Sequence, residues 1–274
     1  MPNIKHGWAG GPCPTYCRPN NGRAAASLPR RLISRQIMKE KTVILLSGGL
    51  DSTTLLHYLK KQLGCHAIYA LTFNYGQKHF DRELACARWQ INHLGVREHL
   101  VVDISFFGKF IGKSSALTSR FNPVPDYDAI KPEKLSQPPT YVPNRNMILI
   151  SLACAHAEAL GIAKVYYAAQ AQDFYGYWDC TKAFVSGMNR VLKLNHRRPV
   201  ILQAPFAGFK KSNVLKVGLG LGVNYAHTWS CYRGHKKACG KCPSCVERLN
   251  AFKLNNAADL LVYEKAEGGM RRKS

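Results

Sequence analysis

From residue 42 onward, short unbroken apolar runs alternate with stretches of helical spacing. Thr42–Leu46 is a short apolar run led by a threonine, as a strand covered on both faces would be. Beyond it, Leu55, Leu56, Leu59 and Leu63 fall on one helical stripe, which predicts a helix over Thr53–Leu63. The same reading gives a strand at His66–Phe73, a helix at Arg82–Leu94 and a strand at Glu98–Asp103. A Pro-rich loop follows over Pro123–Pro143, then an apolar helix at Asn146–Leu160 and a strand at Lys164–Ala168. Strands separated by helices imply right-handed crossovers. The fold class expected is therefore α/β, a doubly wound parallel sheet. Such sheets bind ligands beyond the carboxyl ends of their strands. No apolar run approaches the ~18 residues a membrane-spanning helix needs.

Composition narrows this without changing it. Hydrophobic residues are 46% of the 274 and charged residues 20%, which excludes wholesale disorder. Lys and Arg number 39 against 16 acids, a net charge of +23 that favours anionic partners. Nucleic acid and small phosphorylated or carboxylated molecules both satisfy that preference. Residues 1–37 carry Lys5, Arg18, Arg23, Arg30, Arg31 and Arg35 and no acid, with no hydrophobic period. They also lack the apolar stretch of ~7–15 residues that defines a signal peptide. The expectation is a disordered extension or a start assigned too early. Cys13 and Cys17 lie there without further ligands nearby, and no metal is assigned to them. The remaining chain divides into a nucleotide- and substrate-binding domain, 38–225, and a C-terminal region, 226–274. A reducing, cytoplasmic location is expected from the cysteine usage.

Two constellations carry candidate chemistry. The first is Ser47-Gly48-Gly49-Leu50-Asp51-Ser52, between a buried strand and a helix. Glycines let backbone approach a bulky anion, and the helix N-terminus offers free N–H groups to it. Ser47, Ser52 and Thr53 add hydroxyl donors. No Gly-Lys-Ser/Thr is present, so this is not the loop of γ-phosphate transfer. The second is Cys231, Cys239, Cys242 and Cys245, a C-x7-C-x2-C-x2-C pattern. Its spacing favours a closed, structural zinc site over an iron–sulfur cluster, because the fourth Cys-Pro of the ferredoxin run is missing. Arg233, Lys236, Lys237, Lys241 and Arg248 lie close by in sequence, so part of the basic excess is expected to offset four thiolates.

The first loop resembles the PP-loop of the N-type ATP pyrophosphatases, which split ATP between its α and β phosphates. That resemblance implies an adenine-nucleotide α-hydrolase-like sheet and an ATP site at Leu46, Ser47, Gly48, Gly49, Leu50, Asp51, Ser52, Thr53, Thr54, Leu55 and Leu56. Further segments sharpen it: Tyr75-Gly76-Gln77-Lys78-His79, Tyr141-Val142-Pro143-Asn144-Arg145-Asn146, Gly176-Tyr177-Trp178-Asp179-Cys180 and Thr228-Trp229-Ser230-Cys231-Tyr232. Together with the four cysteines, the stretch from Lys41 to Leu254 resembles the 7-cyano-7-deazaguanine synthase family of queuosine biosynthesis. That family converts 7-carboxy-7-deazaguanine to a nitrile, using ATP with Mg²⁺ and ammonia.

The resemblance implies catalytic roles for Ser47, Asp51, Ser52, Lys78 and Arg145. It implies substrate contacts from Tyr75, Gln77, His79, Arg145, Asp173, Tyr177, Asp179 and Lys211, and one structural zinc on Cys231, Cys239, Cys242 and Cys245. Many members read Ser-Gly-Tyr-Pro-Asp-Cys-Arg where this chain has Tyr175-Gly176-Tyr177-Trp178-Asp179-Cys180-Thr181. Cys180 itself reads as a packed thiol. A homodimer, no membrane and no stable nucleic-acid partner are expected. The alternative is a PP-loop adenylating enzyme that acts directly on tRNA, of the thiolation or lysidine type. A non-catalytic zinc ribbon would leave the first loop unexplained.

Overall fold

Among the described residues five strands, all parallel, form one sheet: β1 (Lys41–Leu45), β2 (Ala67–Asn74), β3 (Glu98–Asp103), β4 (Lys164–Tyr166) and β5 (Ile201–Gln203). They lie in the order β3-β2-β1-β4-β5. This is a computed structural model, and it describes residues 40–130, 137–171 and 177–264. The expectations for residues 1–37 and for Asp173 lie outside those residues.

β1 is apolar on both faces because both are covered. Val43 joins one buried cluster and Ile44 the other. Over the first face lie α4 (Arg145–Ala159), through Ile150 and Ala153, and α5 (Lys182–Leu192), through Phe184. Over the second pack α1 (Leu50–His57), α2 (Phe80–Leu94), α6 (Lys211–Gly220) and α7 (Pro243–Leu254), through Leu55, Ile91, Leu215 and Phe252. A short helix, α3 (Phe106–Phe110), follows β3. Among the described residues no helix is long and apolar enough to cross a membrane.

The expected doubly wound sheet is present, with boundary shifts that have local causes. The first helix begins at Leu50, not Thr53, and after His57 widens into a π-helical turn over Tyr58–Gln62. Asp51 and Ser52 therefore belong to the first helical turn rather than to the loop. β4 ends at Tyr166, two residues early, although the Tyr167 N–H still bonds the Gln203 carbonyl of β5.

The strand order places a switch between β1 and β4. The chain leaves β1 toward β2 on one side and returns to β4 on the other, so their carboxyl ends diverge around a crevice. The C-terminal segment closes one side of it. Arg248 of α7 is fully buried, and its guanidinium grips Asp259 through Nε (2.7 Å) and Nη2 (2.9 Å). It also donates to Thr228 Oγ1, Ser230 Oγ and the Tyr225 carbonyl. Arg248 is thus committed to Asp259 and to the backbone leading into the cysteine region.

Candidate active site and metal centre

The crevice holds an open cavity of about 260 Å³. Its floor is the turn from β1 into α1. Gly48 has φ +79° and packs so closely on α2 that a Cβ would lie 2.3 Å from the Glu83 carbonyl oxygen. This approach aims the loop at the sheet's end and leaves Leu46, Ser47, Gly49, Leu50, Asp51 and Ser52 on the cavity wall. The Ser47 and Ser52 hydroxyls lie 3.0 Å apart, and Ser47 Oγ accepts from the Gly49 N–H. A phosphate oxygen could take over these donors, assisted by the positive end of α1.

One end of the cavity is acidic and basic in alternation. Lys211, first residue of α6, donates to Asp51 Oδ2 at 3.2 Å and lies 3.5 Å from Glu247 Oε2. Burial opposes its charge, but the two carboxylates outweigh that and hold the ammonium above the ordinary lysine range. Asp51 Oδ1 is buried with no hydrogen-bond partner among the described residues. The other end is built from the turn after β2 and the starts of α2 and α4. Arg145 donates to the Tyr75 hydroxyl at 3.2 Å and lies over that ring. Gln77 folds back on the Tyr75 N–H and the Phe73 carbonyl and donates to Glu83 Oε2 at 3.2 Å. His79 Nδ1 meets the Tyr232 carbonyl at 3.2 Å, which fixes the tautomer with Nε2 unprotonated. Burial lowers that imidazole to about 4 and raises the Glu83 carboxyl to about 7.

Of the expected site residues, Tyr75, Gln77, His79, Arg145 and Lys211 line the cavity. Others do not. Lys78 Nζ donates to the Asn122 carbonyl at 2.6 Å, and Tyr177 hydroxyl pairs with Thr140 Oγ1 at 2.9 Å. Asp179 is buried beside the cavity rather than on its wall. Thr53 is buried, Thr54 bonds Tyr225 hydroxyl at 2.7 Å, and Leu55 and Leu56 enter the core. Their part in any nucleotide site is to seat α1. Cys180 does reach the wall, and burial pushes its thiol up to about 12, in keeping with a packed thiol rather than a nucleophile. Glu83, Gln170 and Trp229 also line the cavity and were not anticipated. A carboxylate four residues after His79 at a helix start was the available signal for Glu83.

The four cysteines converge. Their sulfurs lie within 4.8 Å of one another and all four residues are buried. Cys239 N–H points at Cys231 Sγ (3.4 Å) and Cys242 N–H at Cys239 Sγ (3.3 Å), as donors to thiolates would. This donor set fits a single tetrahedral metal ion with no open position. It abuts the cavity, because Ser230, Tyr232 and Ser244, the chain neighbours of Cys231 and Cys245, line the cavity wall. The Trp229 N–H also bonds the Gly48 carbonyl at 3.0 Å.

The family described as queuosine biosynthesis protein QueC matches residues 41–256, from the first residue of β1 to just past α7. The chain belongs to the QueC family. It is 44% identical over 227 residues to the 7-cyano-7-deazaguanine synthase of Psychromonas ingrahamii, which spans 83% of this chain and 99% of that one. The corresponding synthase of Caldicellulosiruptor saccharolyticus is 44% identical over 224 residues, 82% of this chain and 96% of the relative. That of Methanoregula boonei is 42% identical over 224 residues, 82% and 99%. A solved U34-tRNA thiolase from Methanococcus maripaludis overlaps at TM-score 0.42 and 15% identity, over 80% of this chain and 66% of that one. The QueC match contains every cavity-lining residue named above and all four cysteines.

Proposed function

We propose that the chain converts 7-carboxy-7-deazaguanine and ammonia to 7-cyano-7-deazaguanine (preQ0) at the expense of ATP, as a C–N ligase of queuosine biosynthesis. The observation that carries this is the QueC match over the whole catalytic fold, with an anion-cradling loop at the sheet's switch point. A carboxylate is a poor electrophile, so its oxygen attacks the α-phosphorus of ATP and pyrophosphate departs. Ammonia displaces AMP to give the amide, and a second adenylation of the amide oxygen allows dehydration to the nitrile.

The roles divide by position. Backbone and hydroxyls of Ser47, Gly49 and Ser52 stabilise the departing pyrophosphate, as preorganised donors do best in a water-poor site. Asp51, through its free Oδ1, and Lys211 would hold the Mg²⁺-bound triphosphate. Arg145 presents a planar cation to the substrate carboxylate, and Tyr75 steadies it. Cys231, Cys239, Cys242 and Cys245 would hold one zinc ion, which, with no open coordination position, would brace the neighbouring Trp229–Tyr232 segment and supply no catalytic chemistry. The division at 225/226, a cytoplasmic homodimer and the lack of a stable nucleic-acid partner belong to the same proposal. Nothing on the cavity wall favours direct action on tRNA. The test is ATP–pyrophosphate exchange before ammonium is added. Exchange that depends on 7-carboxy-7-deazaguanine is expected; exchange that needs tRNA instead would reject the reading.

A further inference from the structure

One carboxylate on the cavity wall has no part in the cradle just described. Glu83 stands in the first turn of α2, at the end of the cavity that holds Arg145 and Tyr75. Asp51, the other carboxylate named on that wall, is committed to Lys211. Glu83 Oε2 accepts from Gln77 Nε2, which is itself fixed by two backbone bonds. Glu83 Oε1 faces His79 Nε2 at 3.7 Å. Because His79 gives its only proton to the Tyr232 carbonyl, Nε2 is a bare lone pair. A carboxylate oxygen and an imidazole lone pair thus converge from neighbouring positions on the cavity wall, two acceptors that one small donor on the cavity side could reach together. The turn is rigidly held, since Lys78 N–H bonds the Leu117 carbonyl and Gln77 is bonded at both ends of its amide.

The reaction needs such a pair. Ammonia in neutral water is almost wholly ammonium, which carries no lone pair and cannot attack a carbonyl. Resting on the synthase reading above, we propose that Glu83 is the catalytic proton acceptor that converts bound ammonium to ammonia at the acyl adenylate, with His79 Nε2 as the second acceptor holding the ion. One proton passes from ammonium to the Glu83 carboxylate. The nitrogen lone pair then forms the C–N bond as the C–O bond to AMP breaks, and the phosphate of AMP keeps that electron pair. The second N–H proton leaves with the AMP phosphate, and Glu83 returns its own proton to water before the next cycle. The raised carboxyl, near 7, suits a group that must take and release a proton under working conditions. Arg145, Tyr75, His79 and Cys86 are the titratable or charged groups that face it from the β2 turn, α2 and α4.

Glu83→Gln keeps the shape and the bond from Gln77, and it removes a carboxyl whose burial disfavours its charge, so the variant is expected to melt no lower than the wild type. Acid-dependent ATP–pyrophosphate exchange should stay near the wild-type rate. Amide and nitrile formation from ammonium should fall by about 10²-fold or more, the usual reach of a positioned base. Hydroxylamine, a nucleophile already unprotonated at neutral pH, should restore acyl transfer, read as hydroxamate. The proposal is overturned if Glu83→Gln makes amide within tenfold of the wild type. It is equally overturned if exchange and hydroxamate are lost along with the amide, which would assign Glu83 to the nucleotide or to the framework. Failure of the wild type itself to show acid-dependent exchange would instead overturn the synthase reading on which the proposal stands.

Discussion

Gly48→Ala tests how the loop is held against α2. The residue sits at φ +79°, where an L side chain crowds its own carbonyl at a cost of about 1–2 kcal/mol. The added Cβ would also lie 2.3 Å from the Glu83 carbonyl oxygen and 2.6 Å from the Ala87 nitrogen. Both are backbone atoms of α2, so no side-chain rotation relieves the contact. Either the loop or the helix must move, and overpacking of this kind costs about 1–3 kcal/mol. Gly95 supplies the control. It too is left-handed, at φ +58°, but nothing lies within 4 Å of its Cβ position. Gly95→Ala should therefore carry the conformational cost alone, and the difference between the two variants isolates the clash. Urea unfolding at fixed pH measures it, as a shift in midpoint without a change in slope. By heat, each kcal/mol should lower the melting temperature by about 2–4 °C in a chain of this size. A displaced loop should also raise the KM for ATP in Gly48→Ala and leave it unchanged in Gly95→Ala. Equal destabilisation of the two variants, with equal KM, would refute the argument that close packing on α2 shapes the cradle.

Four further outcomes follow from the geometry. Asp259→Asn removes the bidentate partner of a fully buried guanidinium and should cost about 3–5 kcal/mol in urea unfolding. Cys242→Ser, or extended chelation, should release one zinc per chain by metal analysis and lower stability; an equally stable variant that retains no metal would contradict a structural site. Lys211→Met leaves Asp51 and Glu247 facing each other without a cation, and kcat/KM for ATP should fall by about 10–100-fold, the worth of a charge-assisted bond. For pH dependence, the Glu83 carboxyl rises from an ordinary 4.5 to about 7 on folding, so the folded state binds its proton more tightly. That contribution to stability is full below pH 4.5 and is lost as pH climbs toward 7. Glu83→Gln should flatten this fall, making the variant more stable than the wild type at pH 8 by up to about 3 kcal/mol.

Much of this was legible in the sequence because burial on both faces leaves a plain mark. The runs around Val43 and Ile68 are apolar without alternation, and only a central parallel strand asks for that. β5 escaped because three residues, Ile201–Gln203, are too few to show any period. The cysteine spacing was sufficient because metal ligation is local geometry. The two ends of the cavity were less accessible to sequence reasoning. Lys211 and Asp51 meet across 160 positions, and only the packing of α6 on α1 brings them together. Lys78 and His79 are neighbours in one motif, yet one side chain turns to the Asn122 carbonyl and the other to the cavity. A turn fixes such directions through its backbone bonds, which the motif does not spell out. Glu83 is hidden in the sequence for a related reason: there it is one acid of an amphipathic helix, and only its partial burial beside His79 distinguishes it from Asp81, which is exposed. The basic excess likewise changed meaning, since Arg248 is spent on Asp259 and Arg233 on Asp126.

The most direct measurement follows product and nucleotide together. The protein is incubated with ATP, Mg²⁺, ¹⁵N-ammonium and 7-carboxy-7-deazaguanine, and the mixture is resolved by mass spectrometry. The account predicts ¹⁵N-labelled 7-cyano-7-deazaguanine, preceded by the labelled amide, with two AMP released for each nitrile. Formation of ADP instead of AMP, or consumption of ATP with no labelled nitrile, would contradict it.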